Sequence, residues 1–430
     1  MPGAITKTTL TNGLLVLLKE IHTAPIISSW IWYRVGSKDE PTGKTGISHW
    51  VEHMQFKGTP TFPSNILDKA ISREGGMWNA FTHMDWTTFL ETLPADKIDL
   101  ALSLEADRMV NSLYLQDEVA TERTVIISER EGSENEPLFQ LSEAIQNAAF
   151  KVHPYHHEVI GDMADLHSIS RDDLFSHYRT FYKPNNAVLA LAGDFQSKAM
   201  LDRIRELFEP IHAGEPPIRL HRPEPAAIGE HMLNIEGPGE TTYLQIAYRF
   251  PSATDPDLFP FMVLDSLLSG PSNPSAFSGG GISNKTSRLY RCLVEKEKAV
   301  GVFGSGQVTI DPYLYSTTIT IHPKSHPEES LKVFDEEIKN LQVNLIAEAE
   351  ISRAIKQARA IFAYSSENIT HQAAWLGFSE MFSDYHWFVS YLDNLAKVTP
   401  NDIQRVAQNW LQPQQRLVGT YIPNGKASQA

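Results

Sequence analysis

The chain has 430 residues, of which 42% are hydrophobic, and a formal net charge of −15. This composition excludes a disordered or fibrous chain, and the negative charge disfavours nucleic acid or an anionic membrane surface as the main partner. The single cysteine, Cys292, excludes an internal disulfide and a cysteine-rich metal module. No apolar run reaches the roughly 18 residues of a membrane span, and the first residues lack an apolar signal-peptide core, so we expect a cytoplasmic protein.

The first part of the chain mixes strands and helices without regular βαβ alternation. Strands are predicted where apolar residues are dense and turn residues flank them, over residues 13–19, 26–35, 77–82 and 87–93. Helices are predicted where apolar residues recur three and four positions apart, over residues 95–111, 116–131 and 170–181. This pattern indicates an α+β fold in which helices pack on a mainly antiparallel sheet.

A histidine pair lies between the second and third predicted strands, in the sequence His49-Trp-Val-Glu-His53. On a helix, His49 and His53 project from one face about one turn apart, close enough to share a zinc ion. Glu52 stands between them, and a carboxylate outside the ligand set can accept a proton from water. The H-x-x-E-H order is the inverted zincin pattern and predicts a zinc hydrolase. The alternative is a helix that carries two histidines and no metal.

A catalytic zinc site needs a third protein ligand and keeps one position open. The acidic stretch over residues 118–136 offers several carboxylates. Glu122 and Glu129 are two helical turns apart in this stretch, so on a helix they share one face. The residues alone do not choose among these glutamates, because acidic runs are usually solvated helix faces.

The chain is predicted to contain two related halves. Two segments share an outline of hydroxyl N-cap, acid three positions on, amphipathic helix, aromatic residue and proline, and they cover residues 170–184 and 399–413. An apolar strand follows each of them, over residues 187–192 and 417–422. We therefore predict an N-terminal domain over residues 1–209, a proline-rich linker over residues 210–229, and a related C-terminal domain over residues 230–430.

Taken together, these features resemble the pitrilysin, insulinase and mitochondrial processing peptidase family of inverzincin zinc peptidases, in its small two-domain bacterial type. The resemblance covers nearly the whole chain. The motifs that carry it lie in residues 49–59, 75–87, 153–155 and 182–194. It implies a zinc metalloendopeptidase in which each half is an α/β sandwich and only the first half has the zinc site.

The resemblance also implies roles for single residues. It assigns one Zn²⁺ per chain to His49, His53 and Glu129. It makes Glu52 the general base, and Glu122 an acid that orients the ligands or supports that base.

The predicted strand over residues 77–82 has a further role in the family. By resemblance, its residues Asn79, Ala80, Phe81 and Thr82 lie on an exposed edge onto which a substrate peptide adds as an extra strand. The alternative is an ordinary hairpin.

The second half lacks the zinc motif. The positions that align with His49, Glu52 and His53 hold Phe261, Leu264 and Asp265. In the family, an arginine and a tyrosine from the second half or from a partner chain hold the substrate and stabilise the developing oxyanion. The corresponding positions here hold Val294 and Gly301.

The absence of the arginine and tyrosine at these positions leads to a prediction about partner chains. Arg288 and Tyr290 lie near the two replaced positions and are interpreted as structural, although Arg288 could also substitute for the missing arginine. We predict that the chain is the zinc-bearing subunit of a heterodimer, whose homologous partner supplies the Arg/Tyr pair as both close around an unfolded peptide. A homodimer remains an alternative, as does a non-catalytic structural subunit of a larger complex.

Overall fold

The computed structural model describes residues 4–219, 221–226, 229–271 and 283–425. Within them, two β-sheets carry packed helices, which confirms the predicted α+β class. The strands are β1 Ile5–Thr9, β2 Leu15–Glu20, β3 Ile26–Tyr33, β4 Met77–Thr82, β5 Thr87–Pro94, β6 Ala187–Gly193, β7 His231–Gly237, β8 Tyr243–Phe250, β9 Ala299–Gly306, β10 Tyr313–Ile321 and β11 Leu417–Pro423.

The three predicted helices are found with shifted ends: α3 and α7 begin after the predicted positions 95 and 170, and α4 runs past the predicted position 131. They are α1 Ile47–Met54, α2 Ser64–Arg73, α3 Ile98–Asn111, α4 Gln116–Glu134, α5 Pro137–Ala149, α6 Met163–Ser168, α7 Arg171–Phe181, α8 Ser197–Phe208, α9 Leu258–Leu268, α10 Pro327–Val343, α11 Glu348–Ser365, α12 Ile369–Phe382, α13 Tyr385–Val389, α14 Tyr391–Ala396 and α15 Pro400–Trp410. A π-helical segment, Tyr290–Val294, precedes β9. No helix among the described residues is both long and apolar enough to cross a membrane.

The two repeat segments fold alike. Ser170 caps α7 and Thr399 caps α15, and each side chain accepts a hydrogen bond from the backbone N–H three positions on. The acids at those positions, Asp173 and Asp402, accept a hydrogen bond from the backbone N–H of the cap residue, which completes a capping box in both helices. A strand follows each helix, β6 after α7 and β11 after α15.

The first sheet has six strands in the order β1-β2-β6-β3-β5-β4, with β4 at one edge. All neighbours are antiparallel except β2 and β6. Side chains of β3 alternate between its two faces. Ile31 and Tyr33 join a core that contains Trp50 of α1. Trp32 lies on the other face, with its ring centroid 6.2 Å from that of Phe378 of α12. Helices therefore cover both faces.

The second sheet has five strands in the order β7-β11-β8-β10-β9. Only β11 and β7 are parallel neighbours. Helix α5 packs on β11, β8 and β7, where Gly419 leaves room for Leu141 and Ile145. Helices α9, α10 and α15 contact the strands β9, β10 and β8.

Contacts divide the chain into two compact units that are discontinuous in sequence. One unit contains Met1–Arg130, His157–His221 and Ser366–Val389, and the other contains the remainder. Helix α12, from the second half of the chain, thus belongs to the unit of the first sheet, and α5 belongs to the unit of the second. The ranges 1–209 and 230–430 stay a prediction for the two homologous halves, because contacts do not define homology. The described residues of the predicted linker form no helix or strand after position 210 and before β7.

The segment of the second half that aligns with the zinc motif is buried. Phe261 of α9 packs edge-to-face on Phe250 and Tyr315, with ring centroids 5.0 Å apart in both pairs. Asp265 accepts a hydrogen bond of 2.8 Å from the Tyr315 hydroxyl. An aromatic core thus fills the place that corresponds to the histidine pair.

Candidate metal centre

Helix α1, which carries the histidine pair, is fixed at its N-terminal end. Gly46 precedes it with φ of 87°, in the left-handed region that favours glycine. The buried Glu40 carboxylate accepts hydrogen bonds of 2.8 Å from the backbone N–H groups of Gly46 and Ser48. These are donors that the first turn of a helix leaves unpaired. Burial raises the pKa of Glu40 to about 8, against the effect of the two N–H groups.

His49 and His53 lie on one face of α1 with their ring centroids 4.6 Å apart. Burial lowers the pKa of His49 to about 3, so its imidazole is neutral and can bind a metal. Burial also lowers the pKa of His53, but the hydrogen bond to Glu122 and the charges of nearby carboxylates outweigh it, so the net pKa lies above the ordinary value.

Glu129 of α4 faces this pair. Its Oε2 lies 3.7 Å from Nε2 of His53 and 4.0 Å from Nε2 of His49. One ligand atom from each of the three residues lies within 4.8 Å of the others. Tetrahedral zinc with bonds of about 2.1 Å separates its ligand atoms by about 3.4 Å, so small side-chain rotations suffice to reach that spacing. Two imidazoles and one carboxylate, with a fourth position left open, fit a catalytic zinc ion.

Glu122 lies behind His53. Its Oε1 is 2.8 Å from Nδ1 of His53, and its other oxygen forms an ion pair with Lys57. The hydrogen bond fixes the His53 ring, so that Nε2 is left for a metal. Burial raises the pKa of Glu122, but the bonds to His53 and Lys57 outweigh it and lower the pKa overall. Of the two roles predicted for Glu122, these contacts favour ligand orientation.

We expect Glu122→Gln to weaken zinc binding by about 10- to 100-fold, because the amide keeps the shape of the side chain but loses the charge that pairs with Lys57 and polarises His53. Competition with a chromophoric chelator measures the affinity. Glu118→Gln, one turn earlier on α4, is the matched control and should bind zinc as the wild type does. Equal affinities for all three proteins would remove Glu122 from this role.

Glu52 is buried, with 7% of its surface exposed. Its Oε2 accepts a hydrogen bond of 2.6 Å from the Thr82 hydroxyl at the end of β4. Burial raises the pKa of Glu52 to about 7, with the Thr82 bond and the charge of His53 opposing the shift. A carboxyl group with a pKa near neutrality is suited to accept a proton and return it.

Two family models match the chain. Residues 15–163 match the family model described as insulinase (peptidase family M16), and residues 168–358 match the model described as peptidase M16 inactive domain. The chain belongs to the insulinase family, peptidase family M16. The H-x-x-E-H segment and Glu129 lie in the first matched range, whereas Phe261, Leu264 and Asp265, which stand at the corresponding positions of the second half, lie in the second.

Individual M16 relatives match the chain over different lengths. The zinc protease PqqE of Helicobacter pylori is 26% identical over 413 residues, which cover 95% of this chain and 90% of that relative. A probable mitochondrial-processing peptidase subunit beta of Arabidopsis thaliana is 29% identical over 263 residues, or 61% of this chain and 50% of the relative. The crystal structure of a protease from Helicobacter pylori shares the fold, with a TM-score of 0.90 at 24% identity over 98% of this chain and 100% of that one.

The predicted substrate-binding residues of this M16 chain lie on β4, which pairs only with β5 among the described strands. Ala80 is buried, whereas Phe81 is 37% exposed. The Asn79 side chain accepts a hydrogen bond of 2.9 Å from the backbone N–H of Ala80. The strand thus has an unpaired edge. One amide of the strand, that of Ala80, already donates a hydrogen bond to the Asn79 side chain.

Arg288 forms hydrogen bonds with two glutamates of the same chain. Its guanidinium donates hydrogen bonds of 2.7 and 2.8 Å to Glu350 and of 2.6 Å to Glu337. This network supports the structural interpretation of Arg288. At Gly301, the position predicted to correspond to the family's tyrosine, an added Cβ would meet no described atom within 4 Å.

Three features of the site were not predicted from the sequence of this M16 member. They are the Glu40 cap of α1, the Lys57 ion pair with Glu122, and the bond from Thr82 to Glu52. Lys57 stands four positions after His53, which is a spacing that could have indicated it. No local signal in the sequence indicates the other two.

Proposed function

We propose that this chain is a zinc metalloendopeptidase subunit that hydrolyses unfolded peptides and needs a partner subunit for full activity. One observation carries the proposal: His49, His53 and Glu129 converge within 4.8 Å beside the buried carboxylate of Glu52. A helix that carried two histidines by chance would not be expected to meet a carboxylate from a different helix and a hydrogen-bonded acid behind one ring.

His49, His53 and Glu129 would hold the ion, and Glu122 would orient His53 through Nδ1. Zinc, when bound, supplies a Lewis acid that polarises a carbonyl oxygen and lowers the pKa of water. Glu52 accepts a proton as water adds to the carbonyl carbon of the peptide, and it returns that proton to the amide nitrogen as the C–N bond breaks. The products are a carboxylic acid and an amine.

The edge strand β4 supports an extended peptide as the substrate. An added strand would form main-chain hydrogen bonds along Asn79–Thr82, which are independent of sequence, while side chains such as Phe81 set preference. Only an unfolded segment can pair in this way, because a folded protein already uses its backbone groups. The amide of Ala80 would exchange its bond to Asn79 for one to the peptide.

The need for a partner rests on the second half. Val294 and Gly301 replace the arginine and tyrosine of the family, and Arg288 is held by two glutamates. The Arabidopsis relative is a peptidase subunit by name, which agrees with assembly from more than one chain. We therefore propose a homologous partner that has the Arg/Tyr pair, with a homodimer as the alternative assembly.

A non-catalytic structural subunit is the second candidate, because residues 168–358 match a model described as an inactive domain. That range, however, contains none of the four residues of the site. Retention of His49, Glu52, His53 and Glu129 favours the peptidase over a purely structural role.

The test uses the chain alone and the chain co-expressed with the product of a neighbouring gene that encodes a similar chain without H-x-x-E-H. A quenched fluorescent unfolded peptide is the substrate. We expect cleavage by the pair, little by the chain alone, loss of cleavage with phenanthroline, and recovery with added Zn²⁺. A protein substrate, compared folded and after reduction and alkylation, should be cut only when unfolded.

The possible failures of this test are separable. Full activity of the isolated chain would refute the need for a partner and leave the peptidase intact. Cleavage that resists the chelator, or no cleavage by either preparation, would refute the zinc peptidase. Cleavage of folded and unfolded protein at equal rates would refute the preference for unfolded chains.

A further inference from the structure

Thr82 joins two parts of the proposed site. Its hydroxyl donates the 2.6 Å hydrogen bond to Oε2 of Glu52, and this is the one hydrogen bond to the Glu52 side chain among the described residues. A buried carboxylate depends strongly on such a partner, because little water reaches it. Without this bond, the Glu52 carboxylate would keep no side-chain hydrogen bond to a described residue.

The backbone N–H and C=O groups of Thr82 point in a different direction from its side chain. The N–H of His83 bonds to the carbonyl of Trp86 at 2.8 Å, so the pair next to it, Thr82 and Thr87, is a non-hydrogen-bonded pair of the antiparallel ladder. In such a pair the N–H and C=O groups point away from the partner strand. The peptide groups of Thr82 therefore face the unpaired edge of β4.

We propose that Thr82 is a positioning residue that couples the peptide-binding edge to the general base. This inference rests on the proposed function. A peptide that adds to β4 fixes the backbone of Thr82, and the hydroxyl of the same residue holds Oε2 of Glu52. Oε1 is then free to take a proton, and the base is aligned when an extended peptide occupies the edge.

Two substitutions separate this role from a structural one. Thr82→Val has nearly the same shape and strand preference but removes the hydroxyl, whereas Thr82→Ser keeps the hydroxyl. We expect Thr82→Val to lower kcat on the order of tenfold to hundredfold, a part of what a positioned base contributes. KM and bound zinc should stay near wild-type values. Thr82→Ser should recover kcat to within about threefold of the wild type.

Two measurements do not depend on turnover. In a Glu52→Gln background, Thr82→Val should leave the Kd for the unfolded peptide unchanged, because the peptide pairs with backbone groups of the strand and the Thr82 hydroxyl acts on residue 52. In crystals, Thr82→Val should show Glu52 in a different or mixed rotamer, and Thr82→Ser should show it as in the wild type.

The outcomes distinguish this inference from the proposed function. Wild-type kcat in a zinc-loaded Thr82→Val variant would overturn the positioning role and leave the peptidase standing. So would equal losses in Thr82→Val and Thr82→Ser. If neither the chain nor the pair cleaves peptide, the proposed function fails first. The Glu52 rotamer then decides alone, and an unchanged rotamer in Thr82→Val overturns the contact.

Discussion

Glu52→Gln should keep one zinc ion per chain and lower kcat by about 10²- to 10⁴-fold, the contribution of a positioned general base. The reason is that Glu52 lies outside the convergent set of His49, His53 and Glu129, so the amide leaves the metal donors intact. Gln has nearly the same shape and can still accept the Thr82 hydrogen bond, so folding should be unaffected.

Zinc content by mass spectrometry and kcat on an unfolded peptide check this expectation together. His49→Ala is the comparison variant, and it should lose both zinc and turnover because a ligand is removed. If Glu52→Gln keeps wild-type kcat, Glu52 is not the base. If it loses zinc as His49→Ala does, Glu52 contributes to metal binding.

Glu129→Gln should lose most of the bound zinc, because it replaces the one carboxylate donor of the set by a neutral amide. The expected loss exceeds that for Glu122→Gln, which acts only through His53. The matched control is Glu131→Gln, two positions further on α4 and exposed. It should bind zinc as the wild type does.

Titration of the metal-free proteins with Zn²⁺ measures these affinities. An unchanged affinity for Glu129→Gln, or a loss in Glu131→Gln of similar size, would show that another carboxylate of the acidic stretch is the ligand. This experiment addresses the choice that the residues of the stretch leave open.

The sequence predicts the elements around the site well, because they are encoded locally. The histidine spacing fixes a shared helix face, and β4 is found at Met77–Thr82 as predicted. The two capping boxes follow from a hydroxyl and an acid three positions apart. Helix ends are less certain, and α4 runs through Gly132 to Glu134, although glycine is a common helix stop signal.

What the sequence does not predict depends on contacts between distant segments. Helix α12 packs on β3 of the first sheet, where a Cβ at Gly377 would lie 2.0 Å from Nε1 of Trp32. The close approach explains the glycine, but no local pattern indicates its partner. In the same way, Arg108 is an ordinary helix residue in sequence, yet it is buried against Glu91 and Glu105.

The same limit applies to the site. The family resemblance selects Glu129, whereas composition alone could not choose it from the acidic stretch. The second role of Thr82 is invisible in sequence, because Thr is a common strand residue and its bond to Glu52 spans 30 positions. A local pattern identifies the two histidines and the resemblance selects the carboxylate, but only the tertiary structure shows what orients them.

Anomalous diffraction at the zinc absorption edge, from crystals of the zinc-loaded chain, tests the central claim most directly. One peak per chain is expected, about 2.0–2.2 Å from Nε2 of His49, Nε2 of His53 and a carboxylate oxygen of Glu129. Glu52 should lie outside bonding distance. A peak at other residues, or no peak in protein that holds zinc in solution, would contradict the account.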